Sequence, residues 1–201
     1  MSDRPTGLSR RRFLATTAAV GGATVAPAFL RRASAQAKPT MIPPPSSKLT
    51  AASRVELAKV EADIRTESSD HFVVRSYNAK LSKLLVTEAE AALSRVCKLI
   101  LGSQDYPNTV EIHVWADRQD YAAHAEDAPE WSGGSYSFAT KDGLIGRRID
   151  LTQLDERGRF NVVMLDRVLP HEMSHLVTRE HFGDAPCPLF LNEGMAMLGE
   201  S

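Results

Sequence analysis

Cysteine is nearly absent: Cys97 and Cys187 are the only two in 201 residues. Two thiols cannot build a disulfide scaffold, so the fold must rest on a hydrophobic core. A Cys97–Cys187 bridge is chemically allowed in an oxidising compartment, but Cys97 falls on an apolar helical face and reads as a small buried hydrophobe. Past residue 30 no stretch approaches 18 continuous apolar residues, which excludes a second membrane-spanning helix. Glycine (12) and proline (11) are too sparse for collagen-like or low-complexity material, and 43% hydrophobic residues are too many for a disordered chain.

A basic face is also missing. The chain carries 24 basic and 25 acidic residues, but residues 1–35 hold six arginines against Asp3 alone. The remainder therefore has 18 basic and 24 acidic side chains, a formal charge of −6. An acidic body argues against nucleic-acid binding, whose affinity comes from neutralising phosphates.

Residues 1–35 read as an address. Ser9-Arg10-Arg11-Arg12-Phe13-Leu14 resembles the twin-arginine export motif, departing from it where Ala15 replaces the usual lysine. Residues 13–30 are uncharged and mildly apolar, and Ala33-Ser34-Ala35 supplies the small-x-small pattern of a signal-peptidase site. The resemblance implies export by the twin-arginine translocase, cleavage by signal peptidase, a periplasmic or secreted product, and no stable membrane span afterwards. Residues 36–50, with Pro39, Pro43, Pro44 and Pro45, form an extended linker. Residues 51–201 are left for one domain.

Within that domain the periodicities predict a weak helix over 54–65, a strand over 70–77 and an amphipathic helix over 79–101 ended by Gly102. Leu81, Leu85, Ala92, Val96 and Leu99 mark the apolar face of that helix. Val110, Ile112 and Val114 alternate with Glu111, His113 and Trp115, the mark of a half-buried strand. A short helix capped by Asp117 follows, then a hairpin over 135–139 and 144–151. Helical character returns over 161–182, with Pro170 as a bend or second start, and a last helix begins near Pro188. This order predicts an α+β domain with helices on a small mixed, twisted sheet.

His171-Glu172-Met173-Ser174-His175 carries the chemistry. At i and i+4 of a helix, two imidazoles stand on one face about 5–6 Å apart at Cβ. They can grip one Zn²⁺ ion, and Glu172 beside them can take a proton from a zinc-activated water without ligating the metal. Seventeen residues after His175 begins Asn192-Glu193-Gly194-Met195-Ala196. This pairing resembles the gluzincin zinc metallopeptidases, and Leu169-Pro170-His171-Glu172 makes it most similar to bacterial peptidase-MA-like domains. The resemblance implies a zincin-like fold, with the HExxH on an active-site helix and the third ligand on the helix that follows. It implies His171, His175 and Glu193 as zinc ligands, Glu172 as general base, and a peptide or protein as substrate. Phe190 stands where tryptophan is usual.

His181 lies at the spacing of a metzincin third histidine, but that pattern needs glycine at 178, where this chain has Thr178. On a continuing helix, 100° per residue carries His181 about 240° around from His175, away from the metal. His71, His113 and His124 read as surface residues without a role. Trp131-Ser132-Gly133-Gly134-Ser135-Tyr136 matches the position of the substrate-pairing edge strand of such peptidases, though a plain turn with a core Trp131 fits equally.

Gluzincins usually carry a tyrosine or histidine downstream to hydrogen-bond the oxyanion, and here eight residues follow Glu193. Three alternatives stay open: a domain incomplete at its C-terminus, Tyr136 in the donor's place, or weak hydrolysis. The sequence thus predicts an exported zinc-dependent peptidase, with a zinc-binding, non-catalytic periplasmic scaffold or binding domain as the alternative. A two-carboxylate carbohydrate hydrolase has no spacing behind it.

Overall fold

The computed structural model describes residues 49–103, 105–125, 132–141, 144–183, 185 and 187–200. The expected signal peptide, residues 36–48 of the linker and Trp131 lie outside the described residues. Leu49 and Thr50, expected as linker, belong to the folded body. Leu49 packs against the core, and the Thr50 hydroxyl accepts from the Ser53 N–H at 3.1 Å. That cap starts α1 (Ala51–Leu57) earlier than the expected 54–65. The helix also stops earlier, because distant amides take its last carbonyls. Asn78 donates to Glu56 O (2.9 Å) and Lys59 O (2.8 Å), and Gln153 donates to Leu57 O (3.0 Å) and Lys59 O (2.8 Å).

The chain then forms β1 (Arg65–Ser68), a strand absent from the expected elements. Its sequence, Arg-Thr-Glu-Ser, has no apolar alternation because most of it faces solvent. β2 (Phe72–Ser76), β3 (Val110–Trp115), β4 (Gly134–Lys141) and β5 (Leu144–Thr152) complete one mixed sheet in the order β1-β2-β3-β5-β4. β2, β3 and β5 run parallel, while β1 and β4 are antiparallel edges. The registers Val74↔Ile112, Ile112↔Ile149 and Ile149↔Tyr136 form one row across the sheet. Val74, Ile112 and Ile149 are fully buried, so this row faces the helices.

Two helices cover that face. α2 (Ala79–Leu101) is capped by Asn78, whose Oδ1 accepts from the Leu81 N–H at 2.9 Å, and ends at Gly102. Leu81, Leu85, Leu93 and Val96 enter the core, but Leu99, expected there, is 51% exposed. Ala89, Leu93 and Cys97 take the buried stripe at that end, which follows the real 3.6-residue period. Cys97 and Cys187 are both free thiols, and Cys97 is buried as expected. A short helix, α3 (Arg118–His124), is capped by Asp117 and anchors the approach to β4. Its Arg118 donates to Ser132 O, and Tyr121 Oη lies 3.0 Å from Ser132 Oγ.

α4 (Leu169–Phe182) makes the second start expected at Pro170, which sits in its first turn, and is entered through a π-wound turn, Met164–Val168. Pro170 has no N–H, and its ring would strike the residue 166 carbonyl in a regular α-turn. The wider turn, with the Leu169 N–H reaching Met164 O, removes that conflict. Leu169, Met173 and Leu176 then enter the core beneath the sheet. α5 (Leu189–Gly199) follows and crosses α4 at a glycine. A Cβ on Gly199 would overlap Ser174 Oγ and stand 3.2 Å from Pro170 O. No helix among the described residues is long and apolar enough to cross a membrane.

Candidate metal centre

His171 and His175 lie one turn apart on α4, and α5 brings Glu193 against them. The two Nε2 atoms are 3.0 Å apart. Glu193 Oε2 stands 3.8 Å from His171 Nε2, and its Oε1 stands 3.8 Å from His175 Nε2. Two imidazoles and a carboxylate thus converge on one point, and the three ligand atoms lie within 4.8 Å of one another. Zn–N and Zn–O bonds of about 2.0–2.2 Å in a tetrahedron separate ligand atoms by about 3.3 Å, so the triangle is of the right size for such an ion. This group could hold a metal ion, and its donor chemistry suits zinc.

Glu172 is outside the converging group. Its carboxyl is half-buried on the next stripe of α4. Burial pushes its pKa up from an ordinary 4.5 to about 7; the charge of His171 pulls down and that of Glu193 pushes up. Burial holds the His175 imidazole below its ordinary value, and the Asn192 side chain pulls the other way. Among the described residues, His175 Nδ1 is buried without a hydrogen-bond partner.

β4 forms the facing wall. Because Tyr136 shares the inward row with Ile149, its ring turns toward α4 and stacks on His175, with centroids 5.4 Å apart and planes at 26°. Burial raises the Tyr136 pKa, so the phenol keeps its proton. Gly134 makes this approach fit: a Cβ there would overlap Val168 and stand 3.1 Å from Leu151 Cδ2. Gly134 to Tyr136 lie on the edge strand β4, which starts one residue before the strand expected at Ser135.

His181 is exposed at the end of an unbroken α4, outside the converging group. His71 pairs with Glu90 at 2.8 Å, His113 with Glu111 at 3.1 Å, and His124 stacks on Trp115 at 4.5 Å. None of the three belongs to the centre. Sequence reasoning missed Glu200, whose Oε1 accepts from His171 Nδ1 at 2.9 Å, and Arg167, which donates to Glu200 Oε2 at 2.8 Å. The seven-residue spacing from Glu193 to Glu200, two helical turns, is the one sequence signal that could have found it.

Comparison of the chain with protein-family models, with curated proteins and with solved structures gives no match. The chain has a mixed α/β domain with a His-His-Glu group on two successive helices.

Proposed function

We propose that this chain is an exported zinc-dependent peptidase of the gluzincin type, with a zincin-like fold and His171, His175 and Glu193 as metal ligands. The observation that carries this reading is the convergence of those three side chains, with the unliganding Glu172 beside them. Zinc bound there would supply Lewis acidity, polarising a carbonyl and lowering the pKa of water. Glu172 is held by burial near neutrality, so it can accept a proton and return it to the leaving amine. β4 is an edge strand with one side open among the described residues, suited to backbone pairing with an extended peptide. The Tyr136 phenol, on the same wall, is the hydroxyl donor available to a developing oxyanion. Export through the twin-arginine route, carried by Ser9 to Leu14 and Ala33 to Ala35, belongs to the same proposal.

The test is metal analysis of the purified chain together with hydrolysis of a mixed peptide library. About one zinc per chain and cleavage that a chelator abolishes are expected. A chain that binds zinc but cleaves nothing supports the second reading, a non-catalytic zinc-binding domain.

A further inference from the structure

We propose that Glu200 and Arg167 are a positioning pair for His171, setting its tautomer and tying the docking of α5 to the metal centre. The proposal rests on the metal-centre reading above. Glu200 uses both oxygens: Oε1 accepts from His171 Nδ1 at 2.9 Å, and Oε2 accepts from Arg167 Nε at 2.8 Å. A carboxylate only accepts, so this hydrogen bond puts the proton on Nδ1. A neutral His171 then carries its lone pair on Nε2. That is the atom 3.0 Å from His175 Nε2 and 3.8 Å from Glu193 Oε2. The ligand atom is turned toward the centre before any ion arrives.

Helix geometry explains why one element can do this. Glu200 follows Glu193 by seven residues and caps the C-terminus of α5 in helical backbone, so both project from the same side of the helix. The third ligand and the group that orients the first ligand therefore dock together, and they leave together if α5 swings away. Arg167 comes from the π-wound turn that Pro170 imposes on the entry to α4. His175 shows the contrast, since among the described residues its Nδ1 has no hydrogen-bond partner, and its ring stacks on Tyr136. Glu200 is 17% exposed and Arg167 66%, so Glu200 carries most of the effect.

The experiment uses the full chain and two readouts. One is Zn²⁺ affinity by competition with a chromophoric chelator. The other is the ¹⁵N shift pattern of His171 in the metal-free protein, which distinguishes the two neutral tautomers. Wild type is expected to show the Nδ1–H form. Glu200→Ala should mix the tautomers and weaken zinc binding about 10- to 100-fold, the usual cost of losing such a partner. Glu200→Gln keeps an acceptor oxygen and should retain the Nδ1–H form. Arg167→Ala should weaken binding less than Glu200→Ala does, with recovery in Arg167→Lys. An unchanged tautomer and unchanged zinc affinity in Glu200→Ala overturn the proposal. If wild type binds no zinc, the metal-centre reading fails, and the tautomer comparison alone decides the positioning role. If Glu200→Ala does not fold by circular dichroism, an Arg167→Ala chain identical to wild type in both readouts overturns it.

Discussion

Gly199 rests directly on Ser174, and that contact sets how closely α5 approaches the histidine helix. There is no room for a methyl group between them, since a Cβ on Gly199 would overlap Ser174 Oγ. Gly199→Ala should therefore push α5 outward, costing about 1–3 kcal/mol in stability and weakening zinc binding as Glu193 retreats. Gly194, on the same helix, faces open space: a methyl group there would meet no atom within 4 Å, so alanine should be accepted with little loss of stability. Adding Ser174→Ala to Gly199→Ala should recover part of the loss in denaturant melts, because the two residues share one space. Equal melts for Gly199→Ala and Gly194→Ala would contradict this account.

Glu172→Gln separates metal binding from chemistry. Zinc content should stay near that of wild type while peptide hydrolysis falls about 10²- to 10⁴-fold, the usual range for a general base. Equal cleavage by the two proteins would remove Glu172 from the mechanism.

The same residue makes the metal-free protein pH-sensitive. Between pH 4.5 and about 7, folded Glu172 holds a proton that the unfolded chain has released. The folded state therefore loses stability as pH rises through that window, and on this count is most favoured below it. Denaturant melts of the metal-free chain should show wild type losing ground to Glu172→Gln between pH 5 and about 7. A difference that stays constant with pH would show that burial does not raise this carboxyl.

Zinc titration distinguishes the two candidates for third ligand. Glu193→Ala removes a converging carboxylate and should weaken binding severely, whereas His181→Ala, exposed and outside the group, should stay near wild type. The opposite ranking would discard the ligand set proposed here.

Export is tested in cells. Replacing Arg10 and Arg11 with lysine should leave an uncleaved precursor in the cytoplasm. Normal delivery of that variant would make the arginines incidental to export.

The paired histidines were legible because their geometry is local. An i, i+4 pair must share a helix face wherever the helix lies, and Val110, Ile112 and Val114 announce a half-buried strand by alternation alone. The inward face of Tyr136 also follows from strand alternation once the register with Ile149 is known. β1 was not legible, because an exposed edge strand of Arg, Thr, Glu and Ser carries no apolar signal. Leu99 misled for the opposite reason, as an apolar residue that the helical period leaves outside.

By itself, the sequence determined the α+β element order apart from β1, the paired histidines, the neighbouring Glu172 and a second helix bearing Glu193, all set by spacings within a few turns of chain. Tertiary structure alone decided where α1 stops, since Gln153 caps the carbonyl of Leu57 from 96 residues away. It also decided that Glu200 meets His171 across 29 residues and that Gly199 seats α5 on Ser174. Backbone periodicity fixes which side of an element a residue occupies, but a hydrogen bond between elements depends on their crossing. That crossing is set by steric fit and by the partners left for unsatisfied polar groups, neither of which a one-dimensional pattern contains.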